Sequence, residues 1–131
     1  MIRPFKLYDL NSKRMIYAQD AYRMGIFLAP DGRPVQLKGG AIVHLQQIDV
    51  LHITGWIDTM NRPIWEHDVV DVDIVHDFEG IESLTRGRGV VIYDPMIGGF
   101  HVKLDAGALQ DEDAPIVRMT IIGDVYGQRG K

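Results

Sequence analysis

The sequence contains no cysteine, and this absence excludes several classes of site at once. Without thiols the chain has no disulfide, no thiolate-bound zinc and no cysteine nucleophile. A chain of 131 residues without such links must depend on packing, or on association between subunits, for its stability. Its length allows one domain, or two small subdomains that share one compact unit.

Long apolar runs are also missing. No stretch approaches the ~20 apolar residues that a membrane-spanning helix requires. The first residues, with Arg3, Pro4 and Lys6, lack the apolar core of a secretory signal. Apolar residues nevertheless make up 46% of the chain, which is typical of a folded protein. We therefore expect a cytoplasmic protein with no membrane partner.

Charge is distributed unevenly along the chain. Up to Lys38 there are seven basic and three acidic residues, and from Gly39 onward there are seven basic and fifteen acidic ones, so the two parts carry +4 and −8. Such asymmetry arises from two differently solvated surfaces, or it marks surfaces that attract each other or a partner. Both interpretations stay open, and the second favours a homo-oligomer.

Short strands separated by turns dominate the pattern and predict an all-β fold with little helix. The segment that follows Asp20 is ambiguous, because Asp20 is a suitable helix cap whereas Gly25 would weaken a helix. The polar, glycine-containing segment Asp77–Arg88 favours a mobile loop, and Gln110–Pro115 an acidic loop. The predicted strands are Phe5–Asp9, Met15–Ala18, Ala41–Leu45, Ile48–Ile53, Val69–Val75, Val90–Tyr93, Phe100–Leu104 and Ile116–Ile122.

Three segments, in chain order, resemble the hallmarks of the YopX family of small phage and prophage proteins. The first, ITGWIDTMNRPIWEHDVV, runs from Ile53 to Val70. The second is the strand GVVIY followed by FHV, and the third is IIGDVY near the end of the chain. The Asp9–Tyr17 segment is similar to the opening hairpin of the family.

The chain departs from the family pattern at three positions, of which His67 matters most. The family usually has glycine there, and histidine adopts positive φ angles less readily than glycine does. The other departures are Asp124 in place of asparagine and Gly127 in place of an acidic residue.

The resemblance implies a β-rich N-terminal region over residues 1–52 and a small barrel of the Src-homology-3-like type over residues 53–131. It implies no enzymatic role and supplies no catalytic or cofactor-binding residues. It also implies an origin in a phage or prophage genome, with the bacterial cytoplasm as the location.

Acidic residues and histidines are dense between Glu66 and Asp77, which raises the question of a metal site. Asp71 and Asp73 would project from one face of a strand, about 7 Å apart. The sequence lacks both the glycine-containing calcium loop and the His-Glu-x-x-His zinc helix. An open, solvated strand face explains the carboxylates better, and we predict no metal site and no cofactor.

Candidate catalytic nucleophiles and bases do not cluster in the sequence. Ser12 and Ser83 both lie in expected turns or loops, and neither occupies a Gly-x-Ser-x-Gly elbow. The histidines His44, His52 and His101 fall inside predicted strands. We therefore predict that the protein is not an enzyme, with no catalytic residues.

Two pairs of residues are candidates for contact with partners. Arg86 and Arg88, separated by Gly87, could reach a nucleic-acid backbone, although the acidic second half of the chain opposes this. Trp56 and Trp65 flank the turn Asp58–Pro63 and are either core anchors or interface residues. We expect a non-catalytic binding or accessory protein of phage or prophage origin, with an unidentified protein partner. A nucleic-acid-associated accessory protein is the alternative, and an enzyme a more distant one.

Overall fold

Antiparallel β-strands make up most of the computed structural model, which describes residues 4–105 and 115–127. The prediction of an all-β fold with little helix is confirmed. Of the predicted acidic loop at residues 110–115, only Pro115 lies within the described residues. In chain order the elements are β1 (Phe5–Asp9), β2 (Arg14–Tyr17), α1 (Ala18–Arg23), β3 (Ile26–Leu28), β4 (Pro34–Lys38), β5 (Ala41–His44), β6 (Ile48–Ile57), β7 (Pro63–Trp65), β8 (Asp68–Phe78), β9 (Ile81–Asp94), β10 (Gly99–Leu104) and β11 (Ile116–Asp124).

The chain divides into two compact units, Met1–His52 and Ile53–Lys131. The boundary lies within β6. The first part of this strand pairs with β1, and its last part pairs with β7.

In the first unit, β1 is the central strand between β2 and β6. Asp9 ends β1 and shapes the turn into β2, because its Oδ1 accepts hydrogen bonds from Asn11 N at 2.9 Å and Ser12 N at 3.3 Å. The apolar side chains of β1 pack onto α1 and β3. The buried members of this core are Phe5, Leu7, Ala21 and Ile26.

The segment after β2 begins as a helix of only six residues, α1. Tyr17 occupies its N-cap position, and Asp20, the possible cap in the ambiguous segment, lies in the first turn of the helix. Gly25 follows the helix with φ +76°, and a Cβ there would lie 3.0 Å from the Leu37 carbonyl oxygen. The left-handed φ and the close approach to a backbone oxygen both disfavour a side chain, so glycine suits this position between α1 and β3. Strands β3, β4 and β5 then form an antiparallel three-stranded sheet.

In the second unit, four strands form a curled half-barrel sheet in the order β10-β9-β8-β11. Alternation along β8 determines its two faces, since Val70, Val72 and Ile74 are buried whereas Asp71 and Asp73 are not. The buried core of this unit consists of Ile64, Val70, Val72, Ile74, Val91, Val102 and Ile121.

The expectation of a mobile loop over Asp77–Arg88 is wrong. β8 continues to Phe78 and β9 begins at Ile81, so that only Glu79 and Gly80 form the turn, with φ angles of +53° and +81°. Two left-handed residues form the tight turn whose twist suits a β-hairpin. Gly87 faces the core, where a Cβ would contact side chains of neighbouring strands at 3.5 Å or more. Its presence in β9 is therefore explained by packing within the sheet and does not indicate a loop.

Candidate binding surface

Asp58 lies at the turn between β6 and β7 and is buried. Its carboxylate oxygens accept five hydrogen bonds. Oδ1 accepts from Met60 N at 3.0 Å and Arg62 N at 2.8 Å. Oδ2 accepts from Arg62 Nε at 3.1 Å, Arg62 Nη2 at 2.9 Å and Ile121 N at 3.0 Å. This carboxylate therefore closes its own turn and fixes it to β11.

Two effects compete in the pKa of Asp58. Burial alone would raise the pKa, because it disfavours the charged form. Hydrogen bonds from the backbone of Arg62 and Ile121, from the Arg62 side chain and from the Met60 backbone outweigh burial and lower the pKa to about 2. Asp58 is thus a permanently charged structural group at neutral pH and is poorly suited to proton transfer.

His67 lies between β7 and β8 and joins three parts of the second unit. Its backbone N donates to Val91 O at 2.7 Å, and its carbonyl oxygen accepts from Val125 N at 3.0 Å. Its Nδ1 shares a hydrogen bond of 2.7 Å with the hydroxyl of Tyr126. The φ angle of His67 is +70°, the left-handed conformation that glycine adopts most readily.

Asp68 and Asp124 organise two further turns. Asp68 is 1% exposed, and its Oδ2 accepts from Trp65 N at 2.7 Å. Asp124 accepts from Tyr126 N at 3.0 Å through Oδ1. Three aspartates of the resemblance segments, Asp58, Asp68 and Asp124, therefore accept hydrogen bonds from the backbone, a role that no local pattern in the sequence indicates.

Accessible charge gathers on the outer face of the half-barrel sheet. The expected site residues Arg86 and Arg88 lie there, on β9 and not on a loop, opposite Asp73 and Asp71 of β8. Arg86 Nε is 3.4 Å from Asp73 Oδ1, and Arg88 Nε is 3.0 Å from Asp71 Oδ1. The hydrogen bond with Asp71 raises the pKa of Arg88. Both arginines remain largely exposed, at 89% and 58% of their side chains.

A groove of about 590 Å³ runs over this face, lined by Thr59, Asp71, Asp73, Arg86, Arg118 and Thr120. The register brings Arg118 of β11 opposite Asp73, and Thr120 opposite Asp71. The hydroxyls of Thr59 and Thr120 are 2.6 Å apart, and Thr59 N donates to Met119 O at 2.9 Å. The groove therefore combines both signs of charge with hydroxyl groups.

Trp56 and Trp65, the two candidate interface residues, are both half-buried. Trp56 packs against the core of the second unit and lies edge-on to Phe100, with ring centroids 6.3 Å apart. Neither tryptophan lines the groove. The structure thus assigns Trp56 mainly to packing, and both rings keep an accessible part.

Two further observations concern the described residues as a whole. Within residues 4–105 and 115–127, histidines and carboxylates form no group of three that could hold a metal ion. In the same ranges no helix has the length and apolar character needed to cross a membrane.

Three groove residues escaped the sequence analysis: Thr59, Arg118 and Thr120. Arg118 and Thr120 lie about thirty residues beyond the arginine pair, and only the register between β8 and β11 brings them together. No local pattern in the sequence specifies that register.

The chain is similar in fold to protein EF1440 from Enterococcus faecalis. The crystal structure of that protein matches with a TM-score of 0.53 over 97% of this chain and 95% of the other, at 17% identity. No protein-family model matches the chain, and no curated protein matches it either. The likeness therefore establishes a shared fold with a bacterial protein.

Proposed function

We propose that this chain is a non-catalytic binding module of phage or prophage origin, related to the YopX family and acting in the bacterial cytoplasm. The resemblance rests on segments that follow one another in the family's order. The φ angle of +70° at His67 supports it, because this is a conformation suited to the glycine usual at that position. Histidine in place of glycine thus adds a side chain to a backbone conformation that glycine adopts readily.

One observation carries the non-catalytic part of the proposal: the buried carboxylates of Asp58, Asp68 and Asp124 accept backbone hydrogen bonds, and the groove charges lie on an open face. All five hydrogen bonds to the Asp58 carboxylate come from the protein. A general acid or base must instead direct a free lone pair or proton at a substrate. The groove charges lie on a solvated sheet, where they can pair with complementary charges of a partner.

The groove favours a protein segment that carries both signs of charge. Asp71 and Asp73 lie beside Arg86 and Arg118, so that a ligand of one sign would meet repulsion as well as attraction. A polypeptide with alternating charges can pair with both rows and hydrogen-bond to the threonine hydroxyls.

Affinity capture from infected or lysogenic bacteria tests the proposal. The wild type should retain a protein that the double variant Arg86→Ala/Arg118→Ala loses, whereas Arg23→Ala in α1 should retain it. Exposed ion pairs contribute about 1 kcal/mol or less, so the double variant should remain folded. Equal retention by all three proteins would exclude the groove as the site. Capture of nothing above background would contradict a binding module.

A nucleic-acid-associated role is the second candidate, favoured by one observation. Arg86, Arg88 and Arg118 share one sheet face, and Arg86 is 89% exposed. If this role is correct, Arg86→Ala/Arg88→Ala should weaken DNA or RNA binding and reduce the logarithmic salt slope by about 2. Absence of binding by the wild type at low salt would eliminate this candidate.

A further inference from the structure

The β8–β9 hairpin extends beyond the strands that flank it. Pairing of β11 with β8 reaches Ile74, and pairing of β10 with β9 reaches Gly89. Residues 76–84, which we name the arm, pair only across the hairpin among the residues that the structure describes. Within residues 4–105 and 115–127, no strand pairs with the other backbone edge of β9 along the arm, and an edge of this kind is a template for another strand.

The side chains of the arm are apolar and acidic. Phe78, Ile81 and Leu84 are 75%, 72% and 67% exposed, and Phe78 pairs directly with Ile81 across the turn. Asp77, Glu79 and Glu82 contribute three negative charges, and residues 76–84 contain no lysine or arginine. Large apolar side chains on a projecting hairpin mark a contact surface.

The β4–β5 hairpin of the first unit has matching properties with the opposite sign. Every residue of β5 is exposed, and β5 pairs with β4 alone among the described strands. Leu37 pairs with Ile42 across this hairpin, and the two are 55% and 62% exposed. From Gly32 to Ile48 the chain carries Arg33 and Lys38 and no acidic residue. Arg33 Nε lies 3.6 Å from the carboxylate of Asp31, just before this range, so Lys38 supplies the net positive charge of the hairpin.

We propose that the arm of one copy docks on the β4–β5 hairpin of a second copy, with β9 adding to the open edge of β5. Strand addition satisfies the backbone groups of both edges, and the pairs Phe78/Ile81 and Leu37/Ile42 supply the apolar contact. Charge selects this pairing over the symmetric ones. Two arms would bring three negative charges against three, and two β4–β5 hairpins would bring Lys38 of one copy against Lys38 of the other.

The proposed contact joins different surfaces of the two copies, so that it is head-to-tail and leaves one arm and one hairpin available for further copies. Sedimentation of the wild type should therefore show a mass above that of the monomer that grows with concentration. Phe78→Thr/Ile81→Thr and Leu37→Thr/Ile42→Thr should each weaken the association by about tenfold or more, since each pair removes exposed apolar contacts. Met96→Thr/Ile97→Thr is the matched control, because these apolar residues are 92% and 65% exposed in a different turn.

Mixing the two disrupted variants distinguishes this contact from symmetric modes of association. Each variant keeps one intact surface, so an equimolar mixture should form a one-to-one dimer that does not grow further. Recovery on mixing also shows that both variants are folded. A wild type that is monomeric at tens of micromolar would overturn the proposal. So would variants that associate as the wild type does, a mixture that stays monomeric, or loss of association in the control.

Discussion

Arg62 donates two hydrogen bonds to the same carboxylate oxygen of Asp58, from Nε at 3.1 Å and from Nη2 at 2.9 Å. The Nη2 atom also donates to Ile121 O at 2.7 Å, so one guanidinium links the turn after β6 to β11. The side chain of Asp58 is fully buried, whereas that of Arg62 is 35% exposed. This arrangement makes the turn a structural element of the second unit.

Asp58→Asn should destabilise the fold by about 2–4 kcal/mol. The amide group would direct N–H donors at the donors that now surround the carboxylate, and the charge that attracts Arg62 would be lost. Urea denaturation monitored by tryptophan fluorescence measures the change. Asp20→Asn serves as the control, because Asp20 lies on the exposed surface of α1 and its loss should cost about 0.5 kcal/mol or less. Equal effects of the two substitutions would contradict the role given to Asp58.

The stability of the wild type should fall in acid in a way that depends on Asp58. The folded pKa is lowered from 3.8 to about 2, so the charged form stabilises the fold above pH 3.8. That stabilisation, about 2 kcal/mol, is lost as the pH falls through about 2. Asp58→Asn should lack this component, and its unfolding free energy should change less between pH 4 and pH 2, by about 2 kcal/mol. If the unfolding free energies of the wild type and of Asp58→Asn change in parallel with pH, Asp58 is not the source of the acid sensitivity.

The fold class and the positions of most strands could be predicted from the sequence, because a half-buried strand alternates its side chains residue by residue. Val70, Val72 and Ile74 against Asp71 and Asp73 are the clearest case. The extent of the β8–β9 hairpin cannot be predicted in the same way, because Gly80 and Gly87 within a polar segment are equally typical of a loop.

The candidate site was only half predictable. Arg86 and Arg88 are two positions apart in the sequence and can be identified from it, whereas their pairing with carboxylates of β8 cannot. Arg118 and Thr120 belong to the groove only through strand register, which is set by packing across the sheet.

Gly89→Ala should destabilise the fold, whereas Gly87→Ala should not. A Cβ at Gly89 would lie 2.6 Å from the Lys103 carbonyl oxygen and 2.6 Å from Val102 Cγ1, so that β9 and β10 would have to separate. A Cβ at Gly87 would make ordinary contacts, the nearest with Leu104 at 3.5 Å. We expect a loss of about 1–3 kcal/mol at Gly89 and little change, or a gain, at Gly87. Chemical denaturation of both variants measures this, and equal stabilities would contradict the close approach of the two strands.

His67→Gly should be more stable than His67→Ala by about 1 kcal/mol, the cost of a left-handed conformation for a residue that has a Cβ. Both substitutions remove the 2.7 Å hydrogen bond to Tyr126, so its loss cancels in the comparison. Only glycine relieves the strain of φ +70°.

The control uses His101 of β10, which lies outside the left-handed region. There the order should reverse, with His101→Ala more stable than His101→Gly, because glycine weakens an ordinary strand. Denaturant titration of the four variants gives the difference in unfolding free energy between glycine and alanine at each position. The prediction requires that this difference favour glycine at position 67 and alanine at position 101. If alanine equals or exceeds glycine at position 67, the backbone at that turn differs from the one described, and the proposed relation to the YopX family loses the support of His67.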